Sequence, residues 1–184
     1  MNLFVLPKLL VGVGVLVAAA ILLLNTNLVK QNQVLNQVSN SSKVTTTAES
    51  VSLNLSPSSL TKKVNEKFDV EVSIKAGDLD ISGADITIKF NPSVLELSSF
   101  TPSNKYNNVL LNGPVDNKTG SFRFIVANST ATPIKGEIVF GTLHFKAKAP
   151  GSSPVTFGTN QITASGHPQA IPTNSEDGKY EVKG

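Results

Sequence analysis

Residues 81–97 read Ile-Ser-Gly-Ala-Asp-Ile-Thr-Ile-Lys-Phe-Asn-Pro-Ser-Val-Leu-Glu-Leu. Ala84, Ile86, Ile88 and Phe90 are apolar, and Asp85, Thr87 and Lys89 fall between them. Successive side chains of a strand point to opposite sides. The alternation therefore predicts a strand with one face in a core and the other in water. Asn91-Pro92 ends it, because proline lacks the N–H that a ladder needs and fixes φ. Val94, Leu95 and Leu97 open the next apolar segment at once.

The same period of two recurs from Val51 to the end of the chain. It marks Val51–Leu55, Phe68–Ile74 and Phe122–Val126, with longer or shorter candidates at Ile138–Lys148, Val155–Phe157, Gln161–Ala164 and Lys179–Lys183. Turn residues separate them, as in Ala76-Gly77-Asp78, Asp116–Gly120, Pro150-Gly151 and Glu176-Asp177-Gly178. No stretch past residue 50 keeps a helical period. Many short strands at this spacing predict an all-β fold, a single β-sandwich over residues 51–184. The inward positions are Phe68, Val70, Val72, Ile86, Ile88, Phe90, Leu95, Phe122, Phe124, Phe140 and Leu143.

The N-terminus differs in kind. Leu9–Leu24 is an unbroken apolar or glycine run of 16 residues, and residues 3–24 are interrupted only by Pro7 and Lys8. A membrane span needs about 20 residues. Ala18-Ala19-Ala20 offers a signal peptidase small residues, but Ile21-Leu22-Leu23-Leu24 comes directly after. Residues 1–25 are therefore expected to be a retained transmembrane helix and 26–50 a polar linker. Ser39–Ser50, mostly Ser and Thr, reads as a tether with a reach of roughly 20 Å. The expected location is the cell membrane, single-pass, with the C-terminal domain outside the cytoplasm. Charge does not set that orientation, since Lys8 lies on one side of the run and Lys30 and Lys43 on the other.

Composition removes several functions. The chain has no cysteine, so neither a disulfide framework nor a thiolate metal site is available. Residues 51–184 hold 13 Lys/Arg against 12 Asp/Glu, with no basic stripe of the kind nucleic acid requires. No serine sits in a nucleophile elbow, and Glu96, the acid in the corner after Pro92, has no paired carboxylate. No catalytic residue and no cofactor are expected. Asp78-x-Asp80-x-Ser82-Gly83 looks like half of a calcium loop, but the position that needs a bidentate Glu is Lys89. It reads as an Asp-rich turn, and no metal is expected. His144 and His167 show no ligand spacing. Asn40, Asn54, Asn117 and Asn128 begin glycosylation sequons, as chance provides in an Asn/Ser/Thr-rich chain.

The strand, the Asn-Pro corner and the Val-Leu-Glu run together resemble the signature of cohesin domains, β-sandwich modules that bind protein partners in cellulosomes and on bacterial surfaces. The resemblance runs from Val51 to Gly184. It takes in Ser121–Thr130, Phe140-Gly141-Thr142-Leu143-His144-Phe145 and the closing Asp177-Gly178-Lys179-Tyr180-Glu181-Val182. It implies a jelly-roll sandwich whose partner, a dockerin module, docks on the sheet face containing the strand before the corner. Asp85 matches an acidic position that contacts dockerin in some members. Gly83 stands where those members carry Asn.

The expected partner surface is thus the outward face of Gly83–Phe90, with Asp85, Thr87 and Lys89, joined by Arg123 from the Ser121–Asn128 strand. Carbohydrate-binding modules share the fold class and give a competing reading, with polysaccharide as ligand. Sugar-binding faces rely on exposed aromatic rings, and this chain has no Trp. Tyr106, in a polar loop with Asn104, Asn107 and Asn108, is the candidate sugar contact. A structural or adhesive surface domain is the third reading.

Overall fold

A computed structural model describes residues 49–184. The anchor expected over residues 1–25, and nearly all of the linker, lie outside the described residues. Eleven strands run in chain order: β1 (Val51–Ser56), β2 (Ser59–Lys63), β3 (Lys67–Lys75), β4 (Ile81–Lys89), β5 (Leu95–Pro102), β6 (Asn108–Asn112), β7 (Ser121–Ala127), β8 (Glu137–Ala147), β9 (Gly151–Ala164), β10 (Thr173–Ser175) and β11 (Gly178–Lys183). There is no helix among the described residues.

The strands form two sheets. One has the order β10-β1-β3-β8-β5, the other β2-β11-β9-β4-β7-β6. All neighbours run antiparallel except β1 with β10 and β11 with β2. The fold is therefore the expected all-β sandwich. All eleven inward positions named from the alternation are buried.

Aromatic rings from both sheets fill the centre. Phe124 of β7 stacks on Phe100 of β5 at 4.5 Å and lies 6.3 Å from Phe140 of β8. Phe90 meets Phe145 edge-on at 5.4 Å. Residues 48–184 form one compact unit with this core inside it, so the unit has what it needs to fold by itself.

Three strands escaped the sequence reading. β2 and β10 are short and polar, and β6 lies in a stretch that reads as a polar loop. The two candidates at Val155–Phe157 and Gln161–Ala164 are one strand, β9. Its register on β4 shifts between Ile86 and Ile88, where Gly158 and Thr159 together oppose the single residue Thr87. A bulge of this kind interrupts the alternation and splits the signal in two.

The corner after β4 is built as the sequence suggests. Phe90 N–H donates to the Gly120 carbonyl at 2.9 Å, and Asn91 Oδ1 accepts from Ser93 N–H at 3.0 Å. Gly120 has φ +68°, and a Cβ there would collide with the Phe90 carbonyl oxygen. Asp116 Oδ1 accepts from the N–H groups of Lys118 and Thr119 at 2.9 and 3.1 Å, closing the turn that delivers the chain into β7.

Candidate docking face

β4 and β7 lie side by side with Asp85 opposite Ile125, Thr87 opposite Arg123 and Lys89 opposite Ser121. Their other residues, Ile86, Ile88, Phe122 and Phe124, are buried. The outward set is therefore fixed by the alternation. Asp85 and Arg123 sit diagonally across the ladder, close enough for long side chains to meet. Arg123 Nε donates to Asp85 Oδ1 at 2.8 Å and Nη2 donates to Oδ2 at 2.6 Å, a bidentate fork. The Arg123 hydrogen bonds, helped by its charge, hold the Asp85 carboxyl below the usual carboxylate range against the opposing effect of desolvation. Asp85 in turn raises the guanidinium. Lys89 Nζ donates to Ser121 Oγ at 2.8 Å. The four residues expected to share one face do share it.

This face also carries apolar groups. Ile125 is half-buried although it points away from the core, and Leu111 of β6 lies opposite it. Ala127 completes the β7 row. On the other side Gly158 brings the β9 backbone against Thr87, whose Cβ and Cγ2 would touch an added Cβ at 3.4 Å. The face is thus a bidentate ion pair flanked by a low apolar strip. The sequence reading missed Leu111 because β6 was not recognised. The run Val109-Leu110-Leu111 was the available signal.

Gly83 is buried. A Cβ there would meet Thr163 Oγ1 at 3.0 Å and the Val126 carbonyl at 3.2 Å. Thr163 bonds to Ser82 Oγ at 3.1 Å and covers this position. A larger side chain at 83 would have to displace it, so the surface around Gly83 is occupied by Thr163 instead.

Tyr106 requires a correction. It does not stand in an exposed loop. It is only 4 % exposed and its ring stacks on Phe140 at 5.4 Å. Its hydroxyl has no hydrogen-bond partner, and burial, with the Asp80 charge nearby, raises its pKa. Asn107 and Asn108 both donate to Ser129 Oγ, at 2.9 and 2.8 Å, and tie this segment to the chain after β7. The ring is spent on the core and is not offered to a sugar. Among the described residues every Phe and Tyr is buried except Phe157, which is half-buried.

The remaining candidates have local roles. Asp80 Oδ1 accepts the Ile134 N–H at 2.8 Å, and this bond, followed by one from Ser165, lowers its pKa. Among the described residues no cluster of three or more His, Cys, Asp or Glu has the spacing to hold a metal ion. His144 lies on the outer face of the other sheet, its ring bonded to Asp69 Oδ1 at 2.7 Å and Thr101 Oγ1 at 2.9 Å. Asn117, a sequon position, bonds both the N–H and the carbonyl of Leu97 at 3.0 Å.

The fold is thus a two-sheet sandwich with one outer face that carries an ion pair beside apolar groups. Residues 53–182 match the family model described as Cohesin domain, and the chain belongs to that family. No curated protein matches it in sequence. Solved structures agree in fold. A type I cohesin–dockerin complex from Clostridium thermocellum has TM-score 0.59 at 14 % identity, covering 73 % of this chain and 92 % of that one. A non-cellulosomal cohesin from the archaeon Archaeoglobus fulgidus has TM-score 0.61 at 15 % identity over 73 % and 92 %. The solution structure of a Clostridium acetobutylicum cohesin has TM-score 0.61 at 16 % identity over 74 % and 93 %.

Proposed function

We propose that this chain is a non-catalytic cohesin module, held outside the cytoplasm by an N-terminal membrane anchor, that docks a dockerin-type protein partner through the β4–β7–β6 face. The observation that carries the reading is the Asp85–Arg123 fork beside the half-buried Ile125 and Leu111. Protein interfaces join an apolar centre to a polar set that fixes register, and this face supplies both. The neighbours crystallised with dockerins, including the Clostridium thermocellum complex, support a partner of that class. The crowding of Gly83 by Thr163 means that a partner must make different contacts there from those of members carrying Asn. The carbohydrate reading lacks its usual platform, because among the described residues every Phe and Tyr ring is buried except the half-buried Phe157.

The anchor rests on the apolar run of residues 9–24. The export of the domain rests on the general behaviour of short N-terminal anchors, which usually carry the downstream domain across the membrane. Retention in the membrane fraction after a carbonate wash checks the anchor, and a soluble form beginning between residues 21 and 50 would refute it. For the partner, residues 48–184 serve as bait in an extract of the source organism. Capture of a dockerin-bearing protein, weakened by Asp85→Ala, is the expected result. Retention on insoluble polysaccharide with no protein partner would transfer the assignment to carbohydrate binding.

A further inference from the structure

Three side chains on the outer face of the β3–β8–β5 sheet form a hydrogen-bonded chain that the docking reading does not use. His144 Nδ1 lies 2.7 Å from Asp69 Oδ1, and His144 Nε2 lies 2.9 Å from Thr101 Oγ1. An ionised carboxylate can only accept, so Nδ1 carries the ring proton. Nε2 of the neutral ring is then an acceptor, and the Thr101 hydroxyl donates to it. A carboxylate thus orients an imidazole, and the imidazole draws on a hydroxyl proton. Among the described residues Thr101 carries the only side-chain hydroxyl bonded to a histidine ring.

The sheet holds these groups in place. β8 lies between β3 and β5. Asp69 stands directly opposite His144, and Thr101 stands opposite Thr142, two residues before His144. Buried neighbours fix each backbone from below: Phe68 and Val70 beside Asp69, Leu143 and Phe145 beside His144, Phe100 before Thr101. Pro102 follows Thr101 with its own φ fixed, and the branched Thr101 side chain has few rotamers. Thr101 is exposed, so a small reagent can reach its hydroxyl.

We propose that Thr101 is an acyl-acceptor site, modified by activated acyl donors of the aryl ester or thioester class. Thr101 Oγ1 attacks the carbonyl carbon of the donor while its proton passes to His144 Nε2. The bond from that carbon to the aryl oxygen or the sulfur then breaks. The leaving group departs with the bonding electrons and takes the proton from His144. The products are a threonine ester and a phenol or thiol, and nothing is oxidised or reduced. Asp69 is a positioning residue that keeps Nε2 free to accept. The donor must be activated, because there is no helix among the described residues to aim an N-terminus at an oxyanion, and the site lies on a sheet face open to water. The product is an alkyl ester with a poorer leaving group, so it persists. Each chain accepts one acyl group and does not turn over, in keeping with a non-catalytic module. The acyl group would set apolar surface on a face that otherwise has little.

The probe is p-nitrophenyl acetate, added to residues 48–184 in mildly alkaline buffer and followed by peptide mass spectrometry. Hydroxylamine removes acetyl esters and spares acetyl-lysine, which separates the two. Thr101 should gain an ester about tenfold or more faster than Thr132, an exposed threonine away from either histidine. His144→Ala should bring Thr101 down to the rate of Thr132. Equal rates in the unaltered domain overturn the proposal, and so does an unchanged Thr101 rate in His144→Ala. Acetyl found on His144 with none on Thr101 overturns it as well, since the ring would then be the nucleophile. Ring-nitrogen NMR tests Asp69. The His144 ring should carry its proton on Nδ1, and Asp69→Ala should move it toward Nε2 and slow Thr101 acetylation. A ring protonated on Nε2 in the unaltered domain would refute the arrangement.

Discussion

The two sheets share one core but present unlike outer faces. Across β3, β8 and β5 the outward groups are polar, with Asp69, His144 and Thr101 joined in one hydrogen-bonded row. Across β4, β7 and β6 an ion pair lies next to Ile125 and Leu111. The first face is mostly polar and charged and leaves little apolar surface for a partner to cover. The second leaves apolar area beside an oriented charge pair, which is what a protein partner can bury. A sandwich thus differentiates its surfaces through the polar positions of each strand, while the inward positions stay interchangeable in character.

The largest expected effect removes what the faces have in common. Phe124 lies under the proposed docking face and stacks on Phe100 of the opposite sheet. Phe124→Ala should destabilise the domain by about 3–5 kcal/mol, read from urea unfolding. A loss confined to one face, with the melting temperature kept, would break the picture of a shared core.

Next comes the edge. Asn117→Ala strips both hydrogen bonds from the Leu97 backbone. It should cost about 1–3 kcal/mol in the same unfolding measurement.

A smaller effect separates the faces directly. Once the partner is in hand, Asp85→Ala should weaken it by about tenfold, since removing one member of a pair at the interface strands the other. Asp69→Ala, on the other sheet, should leave the affinity unchanged in calorimetry. Neither should shift the melting temperature much, because both sites are open to water. Equal losses from both variants would show that the faces do not differ in function.

The smallest effect is acid lability. Asp85, held down by Arg123, and Asp80, held down by the Ile134 N–H, have folded pKa values below the ordinary one near 3.8. Their contribution is complete above that value and is lost as the pH falls through their lower folded values. The melting temperature should be insensitive to these groups above about pH 5 and decline in more acid solution. Asp85→Asn together with Asp80→Asn should flatten the decline.

Much of this was readable in the chain order. The alternation around Ile86 and Ile88, the Asn91-Pro92 corner and the Phe positions of β7 and β8 depend on neighbours two residues apart. A local pattern therefore identifies the strands, their inward residues and the outward direction of Asp85, Thr87, Lys89 and Arg123. Three-dimensional packing settled the rest, because it depends on residues far apart in sequence. The Asp85–Arg123 fork spans 38 positions and exists only because β4 and β7 pair in one register. Tyr106 sits among asparagines that suggest a surface loop, yet Phe140, brought in by a distant strand, gives its ring a buried partner. Asn117 lies in a turn, and only the fold carries it to the Leu97 backbone, 20 positions away. β6 lacks a periodic pattern because its bulge breaks the alternation, and its status as an edge strand depends on where β7 ends the sheet. Periodicity reports which side of a strand is greasy. Which strand lies beside it, and whether anything does, is set by the pairing of the whole sheet.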